Sequence, residues 1–265
     1  MLKRNPSSHS YIHRTSSGSL SRSNSFHTLP SDNILNINVN HHNPRLINGY
    51  IPIIKKVSLQ EAERAVIKLY DSIKNDGWLS HINNTYRRKC DIEKKASLSS
   101  EESWDLRCCI TDELLSTVKD NLSFRLKSKN QNLYQFCNYA YFVCYTTHFP
   151  TNSVSSQIMP IGIMLFAYNE CDEFLHYPEV SYLITHPGIQ NCAYLLMEKA
   201  VNLSYQTGHH GKLKLTTATS HLSRAYNRMG FVDDTKNTML LDPNNNRAWL
   251  FSPEHGGYRY TALCQ

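Results

Sequence analysis

Between Glu179 and Leu241 the hydrophobic period switches repeatedly between two and about 3.6 residues, and this restricts the topology more than any other feature of the chain. The stretch "EVSYLITHP" has strand composition. "CAYLLMEKAVNLSYQTG" is apolar nearly all round and stops at Gly208, the pattern of a buried helix. "KLKLTTA" reads as a strand, "HLSRAYNRM" as a short helix closed by Gly230, and "TMLLDP" as a strand. Such an alternation implies a right-handed crossover with the first two strands parallel. A hairpin-like piece, "RAWLFSPEHGGYRYTAL", follows a run of Asn.

The preceding residues read β-α-α-β-β. "GYIPIIKKVS" is a strand, and Ser58 with Glu61 forms a capping box for a helix whose one face is Ala62, Val66, Leu69 and Ile73, with Gly77 as its stop. Ser99 and Glu102 cap a second helix, along which Trp104, Cys108, Thr111, Leu115, Val118 and Leu122 fall on one stripe. "LYQFCNYAYFVCYTT" and "IMPIGIMLFAYNE" read as long strands, joined by a polar link, 148–156, of hairpin composition. The fold class expected is therefore α+β: a mixed sheet flanked by helices, spanning 46–265, with a helical insertion around 78–130.

Residues 1–45 contrast with this. They are Ser-rich, contain no acid before Asp32, and lack the apolar content that would offset the entropy of ordering. A flexible tail, an unfolded export signal of the kind that directs a bacterial effector into a host cell, and a mitochondrial transit peptide all fit that composition. Pro6 and Gly18 would interrupt the amphipathic helix that a transit peptide needs. A formal charge of +6 over 265 residues is too diffuse for a nucleic-acid footprint. The eight cysteines include no C-x-x-C pair, and there is no H-E-x-x-H, so no metal is expected. No apolar run is long enough to span a membrane, and free thiols suit a reducing cytoplasm.

Two local motifs resemble the GNAT superfamily of N-acetyltransferases. "TSHLSRAYNRMGF" is similar to the family's helix carrying Tyr-x-Lys/Arg-x-Gly-Phe, and "EVSYLITHPGIQNCAYLL" to its central strand running into a phosphate-binding turn. The resemblance covers roughly 48–243. It implies acetyl-coenzyme A as acyl donor and an amine, on a protein or a small molecule, as acceptor. It places the donor along Leu183, Ile184 and Thr185 and at the turn Gly188, Ile189, Gln190, Asn191, Cys192 and Ala193, with helix N–H groups holding the diphosphate. The family's turn glycines are absent: an ungapped match puts Ala193 and Leu195 in their places, and a shorter register puts Cys192 near the second. Thr219 stands where the family often has Asn.

Acetyl transfer requires a deprotonated amine, a polarised thioester and a protonated leaving thiolate. A free lysine is neutral in roughly 1 molecule in 2,500 at pH 7, a cost of about 4.6 kcal/mol that a base and a desolvating pocket reduce. Glu179, at a strand start on a face shared with Ser181, Leu183 and Thr185, is the first candidate base by resemblance, and His186 the second. Tyr226 is the candidate proton donor to sulfur, with core packing as the competing explanation. A GNAT fold that binds without catalysing is the alternative to the enzyme, because the turn glycines are missing. A Cys/His thiol enzyme has no supporting nucleophile motif.

Overall fold

The computed structural model describes residues 52–75, 97, 99–127, 138–146, 158–168, 177–189, 192–235 and 237–261, all within one unit of the chain, 34–265. The tail 1–45, the link 148–156 and Gly77 lie outside the described residues.

The first helix, α1 (Leu59–Asn75), begins as its sequence dictates. Ser58 N–H donates to Glu61 Oε2 at 2.8 Å, and Glu61 N–H donates back to Ser58 Oγ at 3.3 Å. The same reciprocal box opens α2 (Ser100–Lys127): Ser99 N–H donates to Glu102 Oε2 at 3.1 Å, and Glu102 N–H to Ser99 Oγ at 3.2 Å. Their apolar stripes meet the sheet and each other: Ala62, Val66, Leu69 and Ile73 are fully buried, as are Leu115, Val118 and Leu122. Ser123 Oγ, donating to Glu63 Oε1 at 2.6 Å, ties the two helices together.

The strands β1 (Pro52–Val57), β2 (Asn138–Thr146), β3 (Met159–Tyr168), β4 (Glu179–Thr185), β5 (Leu213–Thr216), β6 (Val232–Asp233) and β7 (Thr238–Leu241) form a seven-stranded sheet in the order β1-β2-β3-β4-β5-β7-β6. Every neighbouring pair is antiparallel except β4 and β5, which are parallel, as the alternation of elements demanded. The crossover between them is α3 (Cys192–Ser204), and α4 (Ser220–Arg228) follows β5. This is the α+β architecture, a mixed central sheet flanked by helices, that the resemblance implied. The two-residue β6 has no counterpart in the sequence reading.

One face of α3 lies close on the sheet at Gly162, where an added Cβ would stand 3.2 Å from a Leu196 methyl and 3.3 Å from Cys192 Sγ. The other faces a separate hairpin, β8 (Trp249–Ser252) and β9 (Gly257–Tyr260), paired antiparallel from Trp249↔Tyr260 to Ser252↔Gly257. Buried polar side chains on α3 act as a partner strand for β9. Asn202 Nδ2 donates to the Tyr258 carbonyl at 2.9 Å while its Oδ1 accepts the Tyr258 N–H at 2.7 Å. Glu198 Oε2 accepts the Tyr260 N–H at 3.1 Å. Tyr194, Glu198, Asn202 and Tyr205 recur at helical spacing, so one stripe carries the whole contact, with Tyr194 against Tyr260 and Tyr205 against Phe251 and Tyr258. The sequence shows this stripe, but a buried polar pair within an apolar helix declares its purpose only once the hairpin is seen.

Removing the Asn202 amide orphans both a buried donor and a buried acceptor. Asn202→Ala is expected to destabilise the protein by about 2–5 kcal/mol, measured by denaturant unfolding followed by far-UV circular dichroism. A change below about 0.5 kcal/mol, the scale of ordinary surface substitutions, would mean that the hairpin is not held this way.

Candidate active site

The site is an opening in the sheet. Strands β4 and β5 pair only at Glu179↔Lys214 and Val180↔Leu215 and then separate. On its other side β4 stays paired with β3 as far as Thr185. Beyond it, His186 N–H donates to the Ile161 carbonyl of β3 at 2.8 Å. Backbone groups alternate sides along a strand, so the Ile184 N–H is directed to β3, whereas those of Leu183 and Thr185 face the opening. Leu183, Ile184 and Thr185 were all expected along a donor there; the geometry offers the N–H groups of Leu183 and Thr185, while that of Ile184 is taken by β3.

A bulge in β4 changes which side chains share a face. Phe166 opposes Val180 and Leu165 opposes Tyr182, leaving Ser181 as the extra residue. Glu179 opposes Ala167, and so stands on the face of Tyr182 and Ile184 rather than that of Leu183 and Thr185. The expected shared face was wrong, because strict alternation from the sequence cannot register an inserted residue. Gly162, opposite Thr185, lies against α3. Glu179 therefore points away from α3, with Lys214 Nζ 3.4 Å from its carboxylate.

The turn after β4 is built by His186. Its imidazole is fully buried, Nδ1 accepts the Gly188 N–H at 3.1 Å, and the Ile189 N–H returns to the His186 carbonyl at 2.9 Å. Burial pushes the imidazole pKa down to about 3, so the ring stays neutral and accepts this bond throughout the physiological range. That is a turn-holding task, distinct from a base exposed to an acceptor. Arg107 of α2 donates from Nη1 to the Pro187 carbonyl at 3.2 Å and fastens the turn from the other side. Sequence reading missed Arg107, because nothing local in α2 marks a contact eighty residues away.

Helix α3 starts at Cys192 immediately beyond this turn; Gln190 and Asn191 lie outside the described residues. Its first N–H groups have no intrahelical acceptor. Cys192 is buried, its thiol beside Cys144, and Tyr194 and Leu195 are buried, whereas Ala193 is half-buried. The small residue at the accessible part of the first turn is thus Ala193. Burial and the Cys192 contact push the Cys144 thiol well above its ordinary range, and all four described free cysteines are buried. Neither condition suits a thiolate nucleophile.

α4 follows β5, the strand that parts from β4. Leu222 packs on Leu106 and Ile110 of α2, and the Tyr226 ring meets Phe231 edge-on at 5.8 Å. Tyr226 is only partly buried, yet its surroundings push the phenol up to about 12 by desolvation. Packing and an available hydroxyl coexist in this residue: the ring contacts the core, and the hydroxyl makes no hydrogen bond among the described residues. Gly230 closes α4 at φ +93°, a conformation that residues with a side chain rarely adopt, and a Cβ there would press on the Asn246 amide. At the opposite end Thr219 precedes the first turn without capping it, and its Oγ1 is buried with no hydrogen-bond partner among the described residues. A buried hydroxyl without a partner at this point is an unmet hydrogen-bonding group beside a helix start.

No family model matches the sequence, and no relative is found among curated proteins. Among solved structures, the chain is similar to one described as histone acetyltransferase HPA2 and related acetyltransferase from Corynebacterium glutamicum, at 11% identity over 71% of this chain and 93% of that one, with a TM-score of 0.34. It is also similar to a KacTA–DNA complex, at 12% identity over 46% of this chain and 79% of that one, with a TM-score of 0.29.

A neutral buried histidine makes stability depend on pH. Its folded pKa of about 3 lies below the ordinary value of 6.5, so below that value the unfolded chain binds a proton that the folded chain does not. His186 therefore costs no stability above about pH 6.5 and roughly 1.4 kcal/mol per pH unit from there down towards about 3. Between pH 7 and pH 5, wild-type protein should lose about 2 kcal/mol more stability than His186→Gln. Equal losses in denaturant titrations of the two proteins would show that His186 is not the group responsible.

Proposed function

We propose that the protein is an N-acetyltransferase that takes its acetyl group from acetyl-coenzyme A and delivers it to an amine. The observation that carries this reading is the divergence of β4 and β5 beneath a helix N-terminus. The strand N–H groups of Leu183 and Thr185 are left unclaimed by β5, the first N–H groups of α3 have no intrahelical acceptor, and just beyond β5 the Thr219 hydroxyl lacks a partner among the described residues. These donors match a ligand with an anionic diphosphate and a chain of amides. The first turn of α3, with Gly188, Ile189 and Ala193 alongside, would hold the diphosphate. The N–H groups of Leu183 and Thr185 would hold the extended chain and the thioester oxygen.

In this reading the acceptor approaches on the Glu179 face, opposite α3. The ammonium proton goes to Glu179, directly or through water, and the amine lone pair attacks the carbonyl carbon. The carbon–sulfur bond breaks, the second proton of the nitrogen passes to water, and sulfur leaves as a thiolate, towards which the Tyr226 hydroxyl donates. A phenol at about 12 is a weaker acid than an ordinary thiol near 8.5. Its main service is therefore a hydrogen bond to the growing negative charge. Complete proton transfer becomes favourable only to the extent that the same desolvation raises the thiolate's basicity.

Tyr226→Phe keeps the ring and removes only this donor. Turnover is expected to fall by roughly 10²-fold or more, in kcat rather than in donor affinity, with stability changed by no more than about 1 kcal/mol. Steady-state kinetics over a panel of protein and small amines, with calorimetric titration of acetyl-coenzyme A, provides the check; full kcat in the Phe variant would reduce Tyr226 to packing. Ala193→Glu places a carboxylate at the exposed part of the α3 first turn. It is expected to abolish donor binding while the fold persists; undiminished affinity would remove the diphosphate from this turn. The missing turn glycines favour one other reading, a GNAT-like module that binds without catalysis. Donor binding without transfer to any amine in the panel would decide for it.

A further inference from the structure

The hairpin β8–β9 lies outside the sheet, yet three side chains in and just before it converge on one end of α4. Tyr260 Oη donates to the Arg228 carbonyl at 2.6 Å, Trp249 Nε1 to the Met229 carbonyl at 2.7 Å, and Asn246 Nδ2 to the Gly230 carbonyl at 3.0 Å. These are successive carbonyls at the C-terminus of the helix, where intrahelical donors run out. The connection to Tyr226 is short. The Met229 and Phe231 N–H groups both donate to the Tyr226 carbonyl, at 2.9 and 3.1 Å, so the clamped segment and the tyrosine share one turn.

The nine residues of α4 are too few for a helix to persist on propensity alone, and Thr219 gives no side-chain cap at the N-terminus. Among the described residues its apolar anchoring includes Leu222 against α2 and Tyr226 against Phe231 and the main core. The hairpin itself is fixed to α3 by Asn202 and Glu198, which occupy the hydrogen-bonding groups of β9 as a neighbouring strand would.

We infer that the hairpin is a brace that sets Tyr226 relative to the first turn of α3, with Trp249 and Tyr260 as positioning residues for the transfer step. This rests on the acetyltransferase reading, since it assigns the brace a consequence for kcat. A tyrosine aimed at a leaving sulfur must be placed to well within 1 Å, and misplacement on that scale costs up to roughly 10²-fold in rate. Bonds from α3 through β9 to α4 supply a path of fixed length between the turn that would hold the donor and the hydroxyl that would serve it.

The test uses the full-length protein with Trp249→Phe and Tyr260→Phe, which keep aromatic packing and remove one donor each. Each is expected to lower kcat by about tenfold and leave the acetyl-coenzyme A dissociation constant within about twofold. The same substitutions made in a Tyr226→Phe background are expected to cause no further loss, because a positioning residue has nothing left to position. Equal losses in both backgrounds, or none in either, would overturn the inference. Hydrogen exchange of the 220–231 peptide reads the brace without turnover: exchange should quicken in both variants while a peptide from α1 stays unchanged. Unaltered exchange in 220–231 overturns the brace whatever the kinetics show. Quicker exchange with full kcat in Tyr226→Phe overturns the catalytic reading of the site and the positioning role with it. Quicker exchange with a slow Tyr226→Phe but no coupling overturns the positioning role alone.

Discussion

The parting of β4 and β5 is the constraint on which the rest of the structure depends. Parallel strands joined by a buried crossover helix ordinarily remain paired, because an unpaired backbone inside a fold costs as much as a lost hydrogen bond. Here pairing stops after two residues of each strand, and the backbone of Leu183 and Thr185 is left facing an opening. Everything close to that opening prevents it from closing or slipping. β3 holds the other edge of β4 throughout its length. His186 and Arg107 fix the turn beyond it. α4, which follows β5, is held by α2 through Leu222 and by Trp249 and Tyr260 through carbonyls at and just beyond its C-terminus.

Three buried polar side chains serve the turn and the hairpin. His186, Glu198 and Asn202 are each at most 4% exposed, and each forms hydrogen bonds to backbone groups of a neighbouring segment. Such bonds contribute modestly to stability but cost much when half-made, so they select one arrangement of turn, helix and hairpin from those an apolar core would tolerate. Apolar burial, by contrast, lies along the sheet faces and the inner stripes of α1, α2 and α3. There it supplies most of the folding free energy without needing to specify the opening.

The bulge at Ser181 shows how such specification reaches chemistry. One extra residue sends Glu179 to the face of Tyr182 and Ile184 while Leu183 and Thr185 remain on the α3 face. A strand carrying both groups thereby serves opposite faces of the sheet within seven residues. In an acetyltransferase reading, that separates the side from which an acceptor arrives from the side on which a diphosphate would rest.

The sequence by itself determined the elements and their order. Capping boxes at Ser58 and Ser99 show where α1 and α2 begin, because the groups that satisfy the first N–H donors lie within three residues of one another. The stripes of α1 and α2, the crossover implied by 179–216, and the glycine that ends α4 are equally local: each depends on periodicity or on one backbone angle. Tyr226 could be singled out for the same reason, from a tyrosine one turn before a forced glycine. Only the tertiary structure decided the face of Glu179, the employment of His186, the grip of Arg107 on Pro187, and the assignment of Glu198 and Asn202 to a hairpin fifty-six to sixty-two residues on. Those features depend on register and on contacts between segments distant in the chain. Neither leaves a periodic trace, since an inserted strand residue or a buried amide looks the same in sequence whichever neighbour it will meet.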